Sequence, residues 1–497
     1  MTHESIVVTN PATGKVFREI VCHDETILDF FVREGRKAQI KWQKVSFSDR
    51  LKLFKKLKRH IQKKYHELVE PNQSETGKTW PDAMVDVISA VAEIHELERR
   101  GEAYACEHVS NHVFLSNKNA KVFFEPHQLV GVITPWNLPL AIPAADIFPA
   151  LFLGSAVIWK PSEYTPLTAL KLEEIMKNVG FPAGLMQVLL GYGDIGAKLC
   201  QVADHISFTG SCKTGKKVAE ICQSRGFIPN LEMGGKAPAI VLPDADLRRT
   251  AQALVYGAIA NSGQYCKSFE RIYVHKEVLH AILSYVIQIV HYDLKPGRDY
   301  GPMITRAQFD VVEKQIEDVK KAGAHVCWRK ELPDRLRDGG NWLTPAILYP
   351  TDHSMSVMKE ETFGPVMPFM EFDDIGEAIS LANDSHLGLN ASVFTKNKKL
   401  FYEIAGYIQA GNVVGNDAMI NWFITDAPQC GRKGSTSQYG GLPRHGRTGI
   451  QRFGKPKTIV WHDHPFFHLP FFKTKEPWWL PYNGLTNLAL RAFLHGF

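Results

Sequence analysis

From about Gln128 the chain alternates short apolar runs with longer amphipathic ones. LVGVITP, SAVIWKP, MQVLLG, HISFTG and PAIVLP read as strands. IPAADIFPALFLG, TPLTALKLEEIMKNVG, DIGAKLCQVAD and KTGKKVAEICQSRG read as helices between them. This alternation demands a parallel sheet with helices on its faces, because a parallel pair needs a crossover long enough to return the chain. A second alternating set begins after Glu270 with RIYVH, HAILSYVIQIV and later AHVCW. The expected class is therefore α/β, and 497 residues are enough for two or three domains. In such sheets ligands sit at the carboxyl ends of the strands.

Charge and cysteines narrow the class. The net charge of +6 is small for this length, and much of the basic excess lies in LKLFKKLKRHIQKKYHELVE. There Leu51, Phe54, Leu57 and Ile61 recur at helical spacing, so the segment reads as a surface helix docked on its own protein rather than a nucleic-acid or membrane patch. Eight cysteines without a C-x-x-C pair point to free thiols in a reducing, cytoplasmic compartment and to no metal site. The N-terminus lacks the charged-then-apolar pattern of a secretory signal. Leu138–Trp159 is broken by three prolines and Asp146, and reads as a buried helix and strand rather than a membrane span.

Two glycine-rich turns compete for an anion. LGYGDIGAKL has the G-x-G-x-x-G spacing, but its helix is short and the next strand ends without an acidic residue, so it reads as a turn. HISFTGSCKTGKK places Gly210, Ser211 and Gly215 around a helix start whose free N–H groups suit a pyrophosphate. Three further residues are of chemical interest. Cys266 lies in the polar loop NSGQYCK after a helix over Leu247–Ala260 and is preferred as the reactive thiol over Cys212. Glu232 ends a strand before two glycines, where it is either a general base or a surface carboxylate. Asn137 in PWNLP either donates to an oxyanion or caps the following helix.

Six motifs in order, TPWN, KPSE, FTGS, EMGGK, GQYC and EETFGPV, resemble the aldehyde dehydrogenase superfamily, and the likeness runs from PATGK to about Trp461. The resemblance implies a Rossmann-like NAD-binding domain (1–112 and 126–233) and an α/β catalytic domain (234–430). It also implies a small β oligomerisation arm with an anchor loop (113–125 and 431–461). A tail, 462–497, is dense in aromatic residues. Carried over, Cys266 is the nucleophile, Asn137 an oxyanion donor and Glu232 the base that hydrolyses a thioester. Ile133, Trp136, Lys160, Glu163, Gly210, Ser211, Gly215, Glu361 and Phe363 line the cofactor site. NAD is expected, with NADP the alternative, because Glu163 would repel a 2′-phosphate. The implied substrate is a small-molecule aldehyde, apolar or aromatic, in a homodimer or homotetramer. A semialdehyde dehydrogenase with a small polar substrate, a cysteine hydrolase and an inactive scaffold are the competing classes. Leu387 and Asn390, and the loop after Pro428, depart from the family pattern. In the tail, Trp478, Trp479, Tyr482, Leu485, Leu488, Leu490, Phe493, Leu494 and Phe497 are too apolar to lie free in water. They are expected to pack on this or a neighbouring subunit, or else to give peripheral membrane contact or a gate near the substrate entrance.

Overall fold

The computed structural model describes residues 4–109, 118–337, 339–436, 441–462 and 484–496. Its first sheet has five parallel strands in the spatial order Met186–Val188, Ala156–Lys160, Leu129–Ile133, His205–Thr209, Asn230–Glu232. The chain starts at the middle strand, works outward to one edge, then returns to fill the other side. The order reverses between Leu129–Ile133 and His205–Thr209, which opens a crevice at their carboxyl ends. These strands are almost wholly buried, as continuous apolar runs covered by helices on both faces must be. The helix Ala141–Leu153 is buried on every side, which explains why its sequence shows no polar face.

The second sheet has seven strands in the order His325–Arg329, Ala346–Tyr349, Val366–Phe372, Phe269–His275, Ala237–Val241, Asn390–Phe394, Asn412–Gly415. All neighbours are parallel except the outer strand His325–Arg329, the AHVCW run, which is antiparallel. PAIVLP, grouped above with the first alternating set, belongs here instead: Ala237–Val241 sits between Phe269–His275 and Asn390–Phe394. Apolar period marks a buried strand but carries no information about which sheet it joins. The chain leaves the first sheet at Glu232 and enters the second at Ala237, so the two sheets meet in the four-residue turn MGGK.

A third, antiparallel sheet pairs Lys118–Pro126 with Gly454–His462 along its whole length, and Cys106–Val109 adds a strand the sequence reading did not foresee. Positions 113–117 and 437–440 of the expected arm and anchor loop lie outside the described residues. So do 463–483 and 497 of the tail, including Trp478, Trp479, Tyr482 and Phe497, along with the side chains of Leu485 and Phe493. The described part of the tail forms the helix Gly484–Gly496, on which Leu488, Leu490 and Leu494 are exposed. No helix among the described residues is long and apolar enough to cross a membrane.

The lysine-rich segment forms the helix Phe47–Lys63, capped by the Ser46 hydroxyl, which accepts from the Asp49 N–H at 3.1 Å. Phe54, Leu57 and Ile61 are fully buried in the first sheet's core, and Leu51 is half-buried beside them. Arg50 extends this face inward and donates to the carbonyls of Phe152 (2.7 Å), Leu153 (2.8 Å), Trp42 and Gln43 (both 3.0 Å). The basic run is thus the solvent side of a docked helix. Leu57→Ala should cost about 2–5 kcal/mol in urea denaturation, whereas Lys56→Ala on the opposite face should change stability by less than about 0.5 kcal/mol.

Candidate active site

The loop that carries Cys266 is held in an unfavourable backbone conformation. After the helix Leu247–Ile259, Asn261, Ser262 and Gly263 all have positive φ, of 50°, 57° and 73°. Side chains in the left-handed region cost energy and persist only where the surroundings hold them. Here the Asn261 N–H donates to Asp82 (3.1 Å), the Ser262 hydroxyl to the Gly301 carbonyl (2.7 Å) and the Ile304 N–H to Gln264 (2.9 Å). The neighbouring backbone is pressed close. A Cβ on Gly235 would lie 2.4 Å from the Cys266 carbonyl oxygen, and one on Gly234 would lie 2.5 Å from the Glu361 carboxylate. The paired glycines of EMGGK therefore let Glu232, Cys266 and Glu361 converge.

Cys266 stands where three cavities meet. A cleft of about 340 Å³ is lined by Cys266, Asn137, Glu232, Glu361, Phe363 and Trp136, with Gly210 and Ser211 at one end. An almost wholly apolar cavity of about 130 Å³ approaches Cys266 from another side between Leu138, Tyr256, Tyr265, Met419, Trp422 and Phe423. A pocket of about 20 Å³, room for about one water molecule, lies between Cys266, Glu232, Lys267 and Arg444. Beyond Gly210 a fourth cavity of about 580 Å³ fills the switch-point crevice, lined by Ile133, Lys160, Glu163 and Ser211.

The electrostatics differ across these spaces. Burial pushes the Cys266 thiol up to about 11 despite the Lys267 ammonium beside it, so the resting residue is a protonated thiol. Burial also raises Glu232, opposed by Arg444, Arg452 and Lys267. No described residue donates a hydrogen bond to the Glu232 carboxylate, which leaves it open to water. Lys267 is brought down to about 8 by burial, and it donates to Gln429. Arg444 donates to Asp146 at 3.0 and 3.1 Å and to the Thr209 hydroxyl at 2.8 Å.

Asn137 does not cap a helix. The following helix has Leu140 at its N-cap, and the Asn137 amide donates to the Gln264 carbonyl at 2.9 Å, two residues before Cys266. An amide has two N–H groups, so one remains for a ligand. Lys160 and Glu163 form an ion pair at 3.5 Å. Phe363 packs edge-on against Trp136, ring centroids 5.5 Å apart, and Glu361 accepts from the Gly235 N–H at 2.9 Å.

Two glycine-rich turns sit differently in the structure. Gly215 does not line the crevice: it is buried, and a Cβ there would lie 2.4 Å from the Met233 sulfur, so its smallness serves helix packing. The GYGDIG turn, read above as a turn, borders the crevice. Gly193, Asp194 and Gly196 line the same 580 Å³ cavity as Gly210 and Ser211, and the helices Gly193–Val202 and Cys212–Ser224 both begin at its wall. Of the three glycines only Gly191 has a positive φ, of 151°. Lys267 and Arg444 escaped the sequence reading. A lysine next to a candidate thiol is a local signal, since cations favour thiolate. Nothing local marks Arg444. Cys212, the rival thiol, starts a helix and donates to the Gly434 carbonyl at 3.4 Å. Gly235→Ala should fold yet lose at least about 99% of activity, because the added methyl must displace the Cys266 backbone by more than an ångström. Near-normal turnover with an unchanged circular dichroism spectrum would contradict this account of the glycine pair.

A model of the aldehyde dehydrogenase family matches residues 1–459. A 4,4'-diapolycopene aldehyde oxidase from a Methylomonas species is 32% identical over 498 residues, spanning 99% of this chain and 91% of its own. An aldehyde dehydrogenase from Brucella melitensis biovar abortus superposes with a TM-score of 0.86 at 30% identity, covering 92% of this chain and 94% of that one. Betaine aldehyde dehydrogenase from Staphylococcus aureus, solved in complex with NAD+, superposes with a TM-score of 0.85 at 27% identity, covering 95% of this chain and 94% of that one. This chain belongs to the aldehyde dehydrogenase family.

Proposed function

We propose that the chain oxidises aldehydes bearing a long apolar chain to carboxylic acids, with NAD as the acceptor. The carrying observation is the position of Cys266 at the meeting of an apolar cavity, a polar cleft and a water-sized pocket. The apolar lining favours this over a small polar semialdehyde. The likeness to the 4,4'-diapolycopene aldehyde oxidase, whose alignment spans nearly the whole chain and so reaches into the tail, supports the same substrate class.

The crevice suits a dinucleotide. Two helix N-termini face it, an arrangement that favours a pyrophosphate, with Gly210 and Ser211 at the second. Lys160 and Glu163 would hold the adenosine ribose, and the Glu163 carboxylate would repel a 2′-phosphate, favouring NAD over NADP. Ile133 and Trp136 would form the adjoining walls, and Glu361 and Phe363 would hold the other ribose and its ring. Bound there, the cofactor supplies the hydride acceptor that turns a thiohemiacetal on Cys266 into a thioester.

The chain's own residues supply the rest. Cys266 passes its proton to water in the adjoining pocket, and its sulfur bonds to the aldehyde carbon, moving the carbonyl electrons to oxygen. Asn137 and the Cys266 N–H would stabilise that oxyanion. After oxidation, Glu232 takes a proton from water, the hydroxide adds to the thioester, and the C–S bond breaks to release acid and thiolate. A cysteine hydrolase would use the same pair but leaves the 580 Å³ crevice without a purpose.

The strand Gly454–His462 is the outer edge of its sheet and exposed along most of its length, an edge that a second copy of the chain would cover. The exposed leucines of Gly484–Gly496 would meet a neighbouring subunit or a lipid interface. If full-length protein and a truncation at Asp463 both stay in solution when liposomes are sedimented, the lipid interface is ruled out.

Cys266→Ala should abolish NADH formation from every aldehyde, whereas Glu232→Gln should give one equivalent of NADH in a burst and then stall at the thioester. Without cofactor, alkylation of Cys266 by iodoacetamide should quicken by about tenfold per pH unit from 7 to 10, because the thiol's pKa is raised and thiolate accumulates only as pH climbs towards it. A rate that levels off between pH 9 and 10 would show an unraised thiol.

A further inference from the structure

We propose that Lys267 makes the apolar cavity selective against cationic aldehydes, by occupying with its own ammonium the aromatic face that an organic cation would otherwise use. The inference rests on the oxidation proposed above.

The Lys267 nitrogen lies 5.4 Å from the centroid of the Trp422 ring, within the range of a cation–π contact, and both residues line the apolar cavity. Both partners are held. Lys267 donates to the Gln429 side chain, and Gln429 is tied to Arg444 by a reciprocal pair of backbone hydrogen bonds of 2.7 and 2.8 Å. The Trp422 indole N–H donates to the Ser89 hydroxyl at 3.0 Å, and its ring meets His445 edge-on at 5.1 Å.

A cage of Tyr256, Tyr265, Trp422 and Phe423 with no charge of its own would welcome a quaternary ammonium. With Lys267 seated on the indole, an incoming cation meets a like charge in a poorly solvated space and finds that ring face taken. An uncharged chain of the same shape meets neither obstacle. The anion on the cavity wall does not reverse this. Asp417 is half-exposed at the wall, 3.9 Å from Arg249, and one of its oxygens accepts from the Ala418 N–H at 2.7 Å. The charged groups facing Lys267 from within are Glu232 and Arg444, which oppose each other.

The test compares betaine aldehyde with its uncharged isostere 3,3-dimethylbutanal, using the full chain and NAD. Lys267→Met removes the charge and keeps a flexible apolar stem; Lys267→Arg keeps the charge. The ratio of kcat/KM for the uncharged over the cationic aldehyde should be large in the parent, fall by roughly tenfold or more in Lys267→Met, chiefly through KM, and persist in Lys267→Arg. Because Lys267 also acts on the Cys266 thiol, Lys267→Met should slow both aldehydes, and the ratio cancels that loss. An unchanged ratio in Lys267→Met, or an equal loss in Lys267→Arg, overturns the proposal. A parent that forms no NADH even from decanal would instead overturn the oxidation on which the proposal rests, and one that oxidises decanal but prefers betaine aldehyde to 3,3-dimethylbutanal would overturn the selectivity.

Discussion

Two buried arginines share one aspartate at the centre of this molecule. Asp146, on the fully buried helix Ala141–Leu153, accepts from both Arg444 and Arg452, and all three side chains are nearly inaccessible. Desolvating such ions is costly, and removing one partner from a buried pair typically destabilises by about 3–5 kcal/mol. The arrangement also leaves one positive charge more than Asp146 neutralises. Glu232 is the carboxylate those arginines act on next, pulling it back towards the ionised form that burial opposes. Thus one ion cluster pins the 441–462 segment to the first sheet and sets the charge around the residue proposed to activate water.

A second buried pair does the same for the other wall. Lys236, the last residue of EMGGK, donates to Glu270 at 2.7 Å, and Glu270 also accepts from the N–H groups of Thr362 and Phe363 at 2.7 and 2.8 Å. That carboxylate joins the turn between the two sheets to the segment bearing Glu361 and Phe363. The cleft is therefore built across the junction of the two sheets, with ionic contacts on each side and close glycine packing between. Cys266 needs no long-range charge to place it: the left-handed run before it and the Gly235 backbone behind it leave its loop little freedom.

Much of this was legible in the residues. The alternation from Gln128 specified a parallel sheet, and the motifs at Asn137, Glu232 and Cys266 marked side chains that the fold gathers into one cleft. What local sequence could not show has a common origin. Spacing alone does not say whether a glycine faces a crevice, as Gly193 does, or packs on a sulfur, as Gly215 does on Met233, because that depends on where other strands lie. PAIVLP was assigned by proximity in the chain, although the MGGK turn carries it to another sheet.

The sequence by itself determined the class of fold, the family and the chemistry available, because periodicity and side-chain type are local properties. The tertiary structure alone decided which groups share an environment. Arg444 lies far from Glu232 in the chain but beside it in space, and Lys267 becomes a cavity wall through an indole from a distant segment. Burial then turns these meetings into raised and lowered affinities for protons, since the cost of a buried charge depends on every neighbour and on the water excluded with it.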